Sequence, residues 1–303
     1  MPAGDIDTMV LDTLSYEEFL GTVGLRNVYD NLDLYGQGKQ EEYEELKKWY
    51  DIYIQIGGYP AVVKCYLETK DMEKCKEELA NIIRIFVNES ERYFNDVLEV
   101  NLFEQLFPSI AQSMIKESKS SSDRISELSK IIFKDESDRI TKKSVNQAIA
   151  WLYRSHIIGY CDRISECNLM DVSYHSRFYF RDIGVARHFL RIAGADQATV
   201  EGIINENFVY FYLERLIRER KLAGTSPAFG VYKGGEIDFF VRSVENDKDY
   251  AIEVKSGKNI GKTAKDGKAD YLYLLKGDTH GGIVDKKKYT VPIYLMGRIT
   301  FVD

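Results

Sequence analysis

The hydrophobic period changes along this chain, and that change restricts the folds open to it. From Glu41, EEYEELKKWYDIYIQ places Tyr43, Leu46, Tyr50 and Tyr53 close to the spacing of one helix face. GGYP at 57–60 interrupts it, since two glycines and a proline punctuate any regular element. Helical spacing resumes in AVVKCYLET, in CKEELANIIRIFVNESERYF and in VNLFEQLFPSIAQSMIK, the last expected to bend or break at Pro108. The polar stretch KESKSSSDR at 116–124 reads as a loop or boundary.

Beyond it, ISELSKII gives a short helical signal, with Ile125, Leu128 and Ile132 apolar. Thr141 is placed to cap a helix whose apolar face is Val145, Ala148, Ile149 and Leu152. IIGYCDRI and SRFYFRD then read as two strands, so short helices precede a two-stranded wing, the winged-helix arrangement. The last third differs. INENFVYFYLERLIRER predicts an amphipathic helix, with Ile204, Phe208, Phe211, Tyr212 and Leu216 along one side. AFGVYK, EIDFFVR and YAIEVK are strand-like, 262–275 is expected to be helical, and GIV and TVPIYLM to be closing strands. Such an order predicts an α/β layer.

Bulk properties exclude more than they assign. A chain of 303 residues with 44% hydrophobic and 29% charged residues suits a soluble globular protein of more than one domain. Its net charge of −7 means that any nucleic-acid contact must be a local patch. Cys65, Cys75, Cys161 and Cys167 form no C-x-x-C pair, and reduced thiols are expected. The N-terminus lacks a basic start and an apolar run, and no segment has the length of a membrane span, so a cytoplasmic location without membrane contact is expected. The four histidines are well separated and offer no triad or metal spacing.

One stretch, YAIEVKSGKNIGKT at 250–263, offers two chemistries from overlapping residues. GKNIGKT suggests a phosphate-binding loop. That loop needs four residues between its first glycine and GK[ST], and Gly257 and Gly261 enclose only Lys258, Asn259 and Ile260. No ATP site is expected here. The other reading starts from EVK. Alternate strand residues share a face, so Glu253 and Lys255 project together while Ile252 and Val254 face the core. Antiparallel pairing through ENDKD would set Asp238 beside Glu253. Two carboxylates on neighbouring strands suit Mg²⁺ or Mn²⁺, and a lysine beside them can orient the attacking water or meet a phosphate. A structural salt bridge is the alternative for the same residues.

Asp238 followed by Glu253-Val254-Lys255 resembles the PD-(D/E)XK nuclease superfamily, without the proline of that motif's name. The resemblance implies a further glutamate on the preceding helix, where Glu206 stands. More closely, GGYPAVV at 57–63, SRFYFRDIGVAR at 176–187, GIINENFVYFYL at 202–213, and GEIDFFV with AIEVKSG resemble the C-terminal region of a family of prokaryotic AAA-type ATPases. LDTLSYEEFL is similar to the last segment of that family's ATPase domain, but no P-loop domain is present.

The expected organisation is therefore an α+β multidomain chain. Residues 1–50 would be the remnant of the end of an ATPase domain and a linker, 51–120 a helical region, and 121–182 a winged-helix module. Residues 183–303 would form a restriction-endonuclease-like α/β domain. Asp238, Glu253 and Glu206 would hold Mg²⁺ or Mn²⁺, and Lys255 would act on water or the scissile phosphate. Arg139, Lys142, Lys143, Asn146 and Gln147 would contact DNA from the proposed recognition helix, and an ATPase domain could act in trans. A non-catalytic module that recognises DNA or protein is the alternative.

Overall fold

The computed structural model describes residues 10–94, 102–115, 141–233, 235–255 and 268–302. The fold is α+β, with two mixed sheets. Nine helices are described, α1 (Tyr16–Thr22), α2 (Arg26–Asn31), α3 (Gln40–Ile56), α4 (Pro60–Thr69), α5 (Met72–Phe94), α6 (Leu102–Ile115), α7 (Lys142–Arg154), α8 (Ile183–Ile192) and α9 (Gln197–Arg218), with a 3₁₀ turn at Ile293–Arg298. The first sheet has the order β2-β1-β3-β4, from β1 (Ile158–Ser165), β2 (Val172–Phe180), β3 (Ala228–Tyr232) and β4 (Gly235–Ile237). The second has the order β5-β6-β7-β9-β8, from β5 (Phe239–Arg242), β6 (Asp249–Lys255), β7 (Tyr271–Lys276), β8 (Gly282–Asp285) and β9 (Lys288–Pro292).

The helical spacings lead to burial where they predict it. Tyr43, Leu46, Tyr50 and Tyr53 of α3 are buried, as are Val145, Ala148, Ile149 and Leu152 of α7. Thr141 caps α7 by accepting the Ser144 N–H at 3.1 Å. Helix α6 runs through Pro108 instead of breaking there. Leu106, Phe107, Ile110 and Ala111 are all buried, and their packing outweighs the local cost of about 3 kcal/mol that proline carries in a helix interior.

Three expectations need correction. EIDFFVR is two strands, since the chain leaves the first sheet at Ile237 and enters the second at Phe239. Tyr271–Lys276, expected to be helical, is β7, which pairs in parallel with both β6 and β9. YLYLLK is apolar on both faces because both faces are covered, and a short apolar run of that kind does not distinguish strand from helix. TVPIYLM is strand only up to Pro292 and then turns into the 3₁₀ segment. The helical signal at 125–132 and the GKNIGKT stretch lie outside the described residues.

Burial links most of the described segments. Tyr16, Phe19 and Leu20 of α1 share one core with Phe208 and Tyr212 of α9 and with Tyr294. Glu17 accepts from Arg215 at 2.6 Å and from the Tyr212 hydroxyl, which ties the segment before residue 50 to the long helix. β1 pairs in parallel with β3, Asp162 opposite Ala228, so the first sheet draws strands from both sides of residue 182. Among the described residues, no helix is long and apolar enough to cross a membrane.

Candidate active site between the two sheets

Alternation sorts the second sheet into two faces. Phe239, Val241, Tyr250, Ile252, Val254 and Tyr273 belong to the large core that includes α9. Phe240, Ala251, Leu272 and Leu274 join a smaller core with Ile164, Ala228 and Ile237 of the first sheet. Glu253 and Lys255 alternate with the first set, and Asp238 with Phe239. All three therefore lie on the side that faces the first sheet.

The pairing that brings them together is antiparallel, with Phe239 opposite Ile252. Asp238 stands one residue before this ladder, where the chain changes sheets, and its Oδ2 accepts the Val254 N–H at 2.7 Å. Lys255 Nζ lies 2.8 Å from Glu253 Oε2 and 3.5 Å from Asp238 Oδ2. The Glu253 side chain is 1% exposed, whereas that of Lys255 is 28% exposed, so the lysine is the member of the group that reaches solvent. Glu253 Oε1 is buried with no hydrogen-bond partner.

This geometry sets the electrostatics. Burial, followed by the neighbouring Asp238, raises the Glu253 pKa to about 7, against the opposing pull of Lys255. Burial disfavours the charge on Lys255, yet Asp238 and Glu253 outweigh it and raise its pKa. A carboxyl poised near neutrality beside a second carboxylate is the environment that a divalent cation relieves.

Four groups extend the site. Glu236, two residues before Asp238, adds to the field that raises Glu253 and holds Arg177 of β2 at 2.6 Å. The Arg177 guanidinium also stacks on Phe229 at 3.8 Å from the ring centroid. Tyr179, two residues further along β2, donates its hydroxyl to Glu206 Oε2 at 3.4 Å. Burial, then Glu206, holds the Tyr179 pKa well above the usual tyrosine range. Glu206 thus faces the β2 side of the site, in a cavity of about 20 Å³ shared with Arg177 and Tyr179, room for about one water. Among the described residues, no group of three or more His, Cys, Asp and Glu side chains is arranged to hold a metal. Arg177 and Tyr179 are not legible in the sequence because β2 is distant in the chain from Asp238 and Glu253, whereas Glu236 shares the alternation of GEID with Asp238 and could have been found there.

The residues expected to contact DNA fall elsewhere. Lys142, Lys143, Asn146 and Gln147 are exposed on α7, opposite its buried face. Arg139 lies outside the described residues.

The glycine-rich and RDIG stretches meet each other. Asp182 caps α8 by accepting the Val185 N–H at 3.0 Å and also takes the Gly58 N–H at 2.8 Å. A Cβ on Gly184 would lie 2.7 Å from the Ile56 carbonyl oxygen, so α3 and α8 touch backbone to backbone. Residues 47–196 match a family described as a domain of unknown function (DUF8612). That span contains both halves of the Gly58–Asp182 contact and α7, and it ends before Glu206, Asp238, Glu253 and Lys255. Nothing in the match refers to an ATPase or a nuclease. No curated protein and no solved structure matches the chain.

Proposed function

We propose that this protein is a DNA-directed, metal-dependent phosphodiesterase, or a degenerate descendant of one, built on a PD-(D/E)XK-like α/β core with a winged helix. The observation that carries this reading is the convergence of Asp238, Glu253 and Lys255 at the junction of the two sheets, with a buried Glu253 oxygen lacking a partner. That orphaned oxygen beside a second carboxylate fits a hard cation such as Mg²⁺ or Mn²⁺. When bound, such an ion supplies a more acidic water and neutralises charge on the phosphate.

The chain's own residues would divide the remaining work. Asp238 and Glu253 would hold the ion. Lys255, the solvent-facing member, would give up its two carboxylate contacts and meet the water or the scissile phosphate. Glu206 would assist from α9 through Tyr179. The exposed face of α7, with Lys142, Lys143, Asn146 and Gln147, would lie along the DNA backbone, where lysines release counterions. The resemblance to ATPase C-terminal regions supports an ATPase domain acting in trans.

The 2.8 Å Lys255–Glu253 contact also favours a second reading, in which the triad is a structural ion network and the protein a non-catalytic recognition module for DNA or a protein. A cleavage assay on plasmid and single-stranded DNA with Mg²⁺ or Mn²⁺ separates the two. Metal-dependent cleavage that falls in Lys255→Ala supports the enzyme. Absence of cleavage by wild type, together with indifference of its melting to metal, overturns it.

A further inference from the structure

The largest cavity among those described lies away from this site, between the end of α3, the first half of α5 and one face of α8. Its volume is about 850 Å³, within the range of about 300–1,000 Å³ typical of small-molecule sites. Ile56, Met72, Cys75 and Leu79 provide an apolar lining, with the exposed Glu73, Lys76 and Glu77 of α5 beside it. The opposite wall is the Arg187–His188–Arg191 run of α8.

The arginines of this wall are only weakly engaged within the protein, Arg187 with Glu201 and Arg191 with Asp196 acting at a distance. Arg187 Nη1 is buried without a hydrogen-bond partner. Neither Arg187 nor Arg191 is in an ion pair among the described residues, whereas Lys76 at the rim is already paired with Glu73 at 2.6 Å. Arg187 and Arg191 are four residues apart on one helix face, where like charges repel. Burial lowers the Arg187 pKa, and Arg191 lowers it further against the attraction of Glu201. Arg187 also borders an adjoining cavity of about 430 Å³ with Tyr50 and Asn205, so its guanidinium stands where two spaces meet. A guanidinium left unsatisfied in a partly buried wall, beside a second arginine and opposite apolar side chains, is complementary to an anion carrying an apolar body.

We propose that this cavity binds a small amphiphilic anion, its carboxylate or phosphate on Arg187 and Arg191 and its apolar part against Met72, Cys75 and Leu79. The proposal is independent of the nuclease reading, because no residue of the Asp238–Glu253–Lys255 group lines the cavity.

The test is calorimetric titration of the full chain with decanoate, decan-1-ol and inorganic phosphate. Decanoate is expected to bind, and each of the other two about tenfold or more weakly, since each lacks one half of the complement and a hydrogen bond to a charged group is worth at least that factor. Arg187→Gln should remove the preference for decanoate over decan-1-ol, and Arg187→Lys should keep most of it. Ala80→Trp, an exposed lining position, should block the cavity without touching the arginines. Equal affinity for decanoate and decan-1-ol, no binding of decanoate, or decanoate binding unchanged in Arg187→Gln or Ala80→Trp would each overturn the assignment.

Discussion

The carboxylate of Asp182 accepts the backbone N–H of Gly58 at 2.8 Å across 124 residues of chain. Asp182 is also the N-cap of α8, so one side chain both starts a helix and fastens it to the turn after α3. Gly57, in that turn, has φ +75°, and a Cβ there would lie 2.5 Å from Asp182 Oδ1 and 2.7 Å from the Gly184 nitrogen. The turn requires glycine on both conformational and steric grounds.

Asp182→Ala should therefore be strongly destabilising. Loss of the cap costs about 0.5–2 kcal/mol, and the stranded Gly58 N–H adds about 1–3 kcal/mol. Gly57→Ala should lose about 1–3 kcal/mol from backbone conformation alone. Urea denaturation midpoints check both. A midpoint for Gly57→Ala equal to wild type would show that the turn can move away from α8.

The raised pKa of Glu253 predicts a pH dependence of stability. Because the folded state holds this proton up to about pH 7 and the unfolded chain releases it in the ordinary carboxylate range, the contribution is full at low pH. It is lost as pH rises from about 4.5 through 7, by roughly 3 kcal/mol. Glu253→Gln should flatten that part of the stability curve. A wild-type curve equally steep in the variant would assign the proton to another group.

Divalent metal should relieve the same site. Mg²⁺ or Mn²⁺ is expected to raise the melting temperature by an amount set by the logarithm of its concentration over its dissociation constant. Asp238→Asn should abolish the shift, since the amide retains the shape and loses the charge. Lys255→Ala should retain it while any cleavage falls. Without metal at pH 8, that variant should be less stable by about 3–5 kcal/mol, because Glu253 then stays buried without its cation. A wild-type melt that ignores metal would leave the triad as an ion network.

The exposed face of α7 makes a separate prediction. Lys142→Glu with Lys143→Glu should weaken DNA binding and reduce the salt slope by about 0.9 for each phosphate no longer neutralised by a lysine. Fluorescence anisotropy over a range of salt concentrations measures both. Unchanged affinity and slope would assign this face to a protein partner or to solvent.

GKNIGKT predicts an absence of function. Its loop is one residue short of a phosphate cradle, so the chain should not bind ATP at micromolar concentrations by calorimetry. Tight binding abolished in Lys262→Ala would reverse that.

Local pattern alone determined much of this protein. The spacing of Tyr43, Leu46, Tyr50 and Tyr53 and of Val145, Ala148, Ile149 and Leu152 specified buried helix faces, because a 3.6-residue period records one-sided burial directly. Thr141 announced its cap for a similar reason, since that bond spans three residues. The alternation of YAIEVK set Glu253 and Lys255 on one face, and the short ENDKD connection set the antiparallel partner that brings Asp238 to them. What the chain does beyond one element was decided by tertiary structure. YLYLLK is a strand because β6 and β9 flank it and both its faces are covered, a condition that erases periodicity. EIDFFVR divides at Asp238 because its two halves pair with different sheets. Arg177 and Tyr179 joined the site through the pairing of β1 with β2 and β3, which brings together segments tens of residues apart. The Asp182–Gly58 bond arose the same way, since the partner of a buried carboxylate depends on which backbone N–H the packing of distant helices delivers to it.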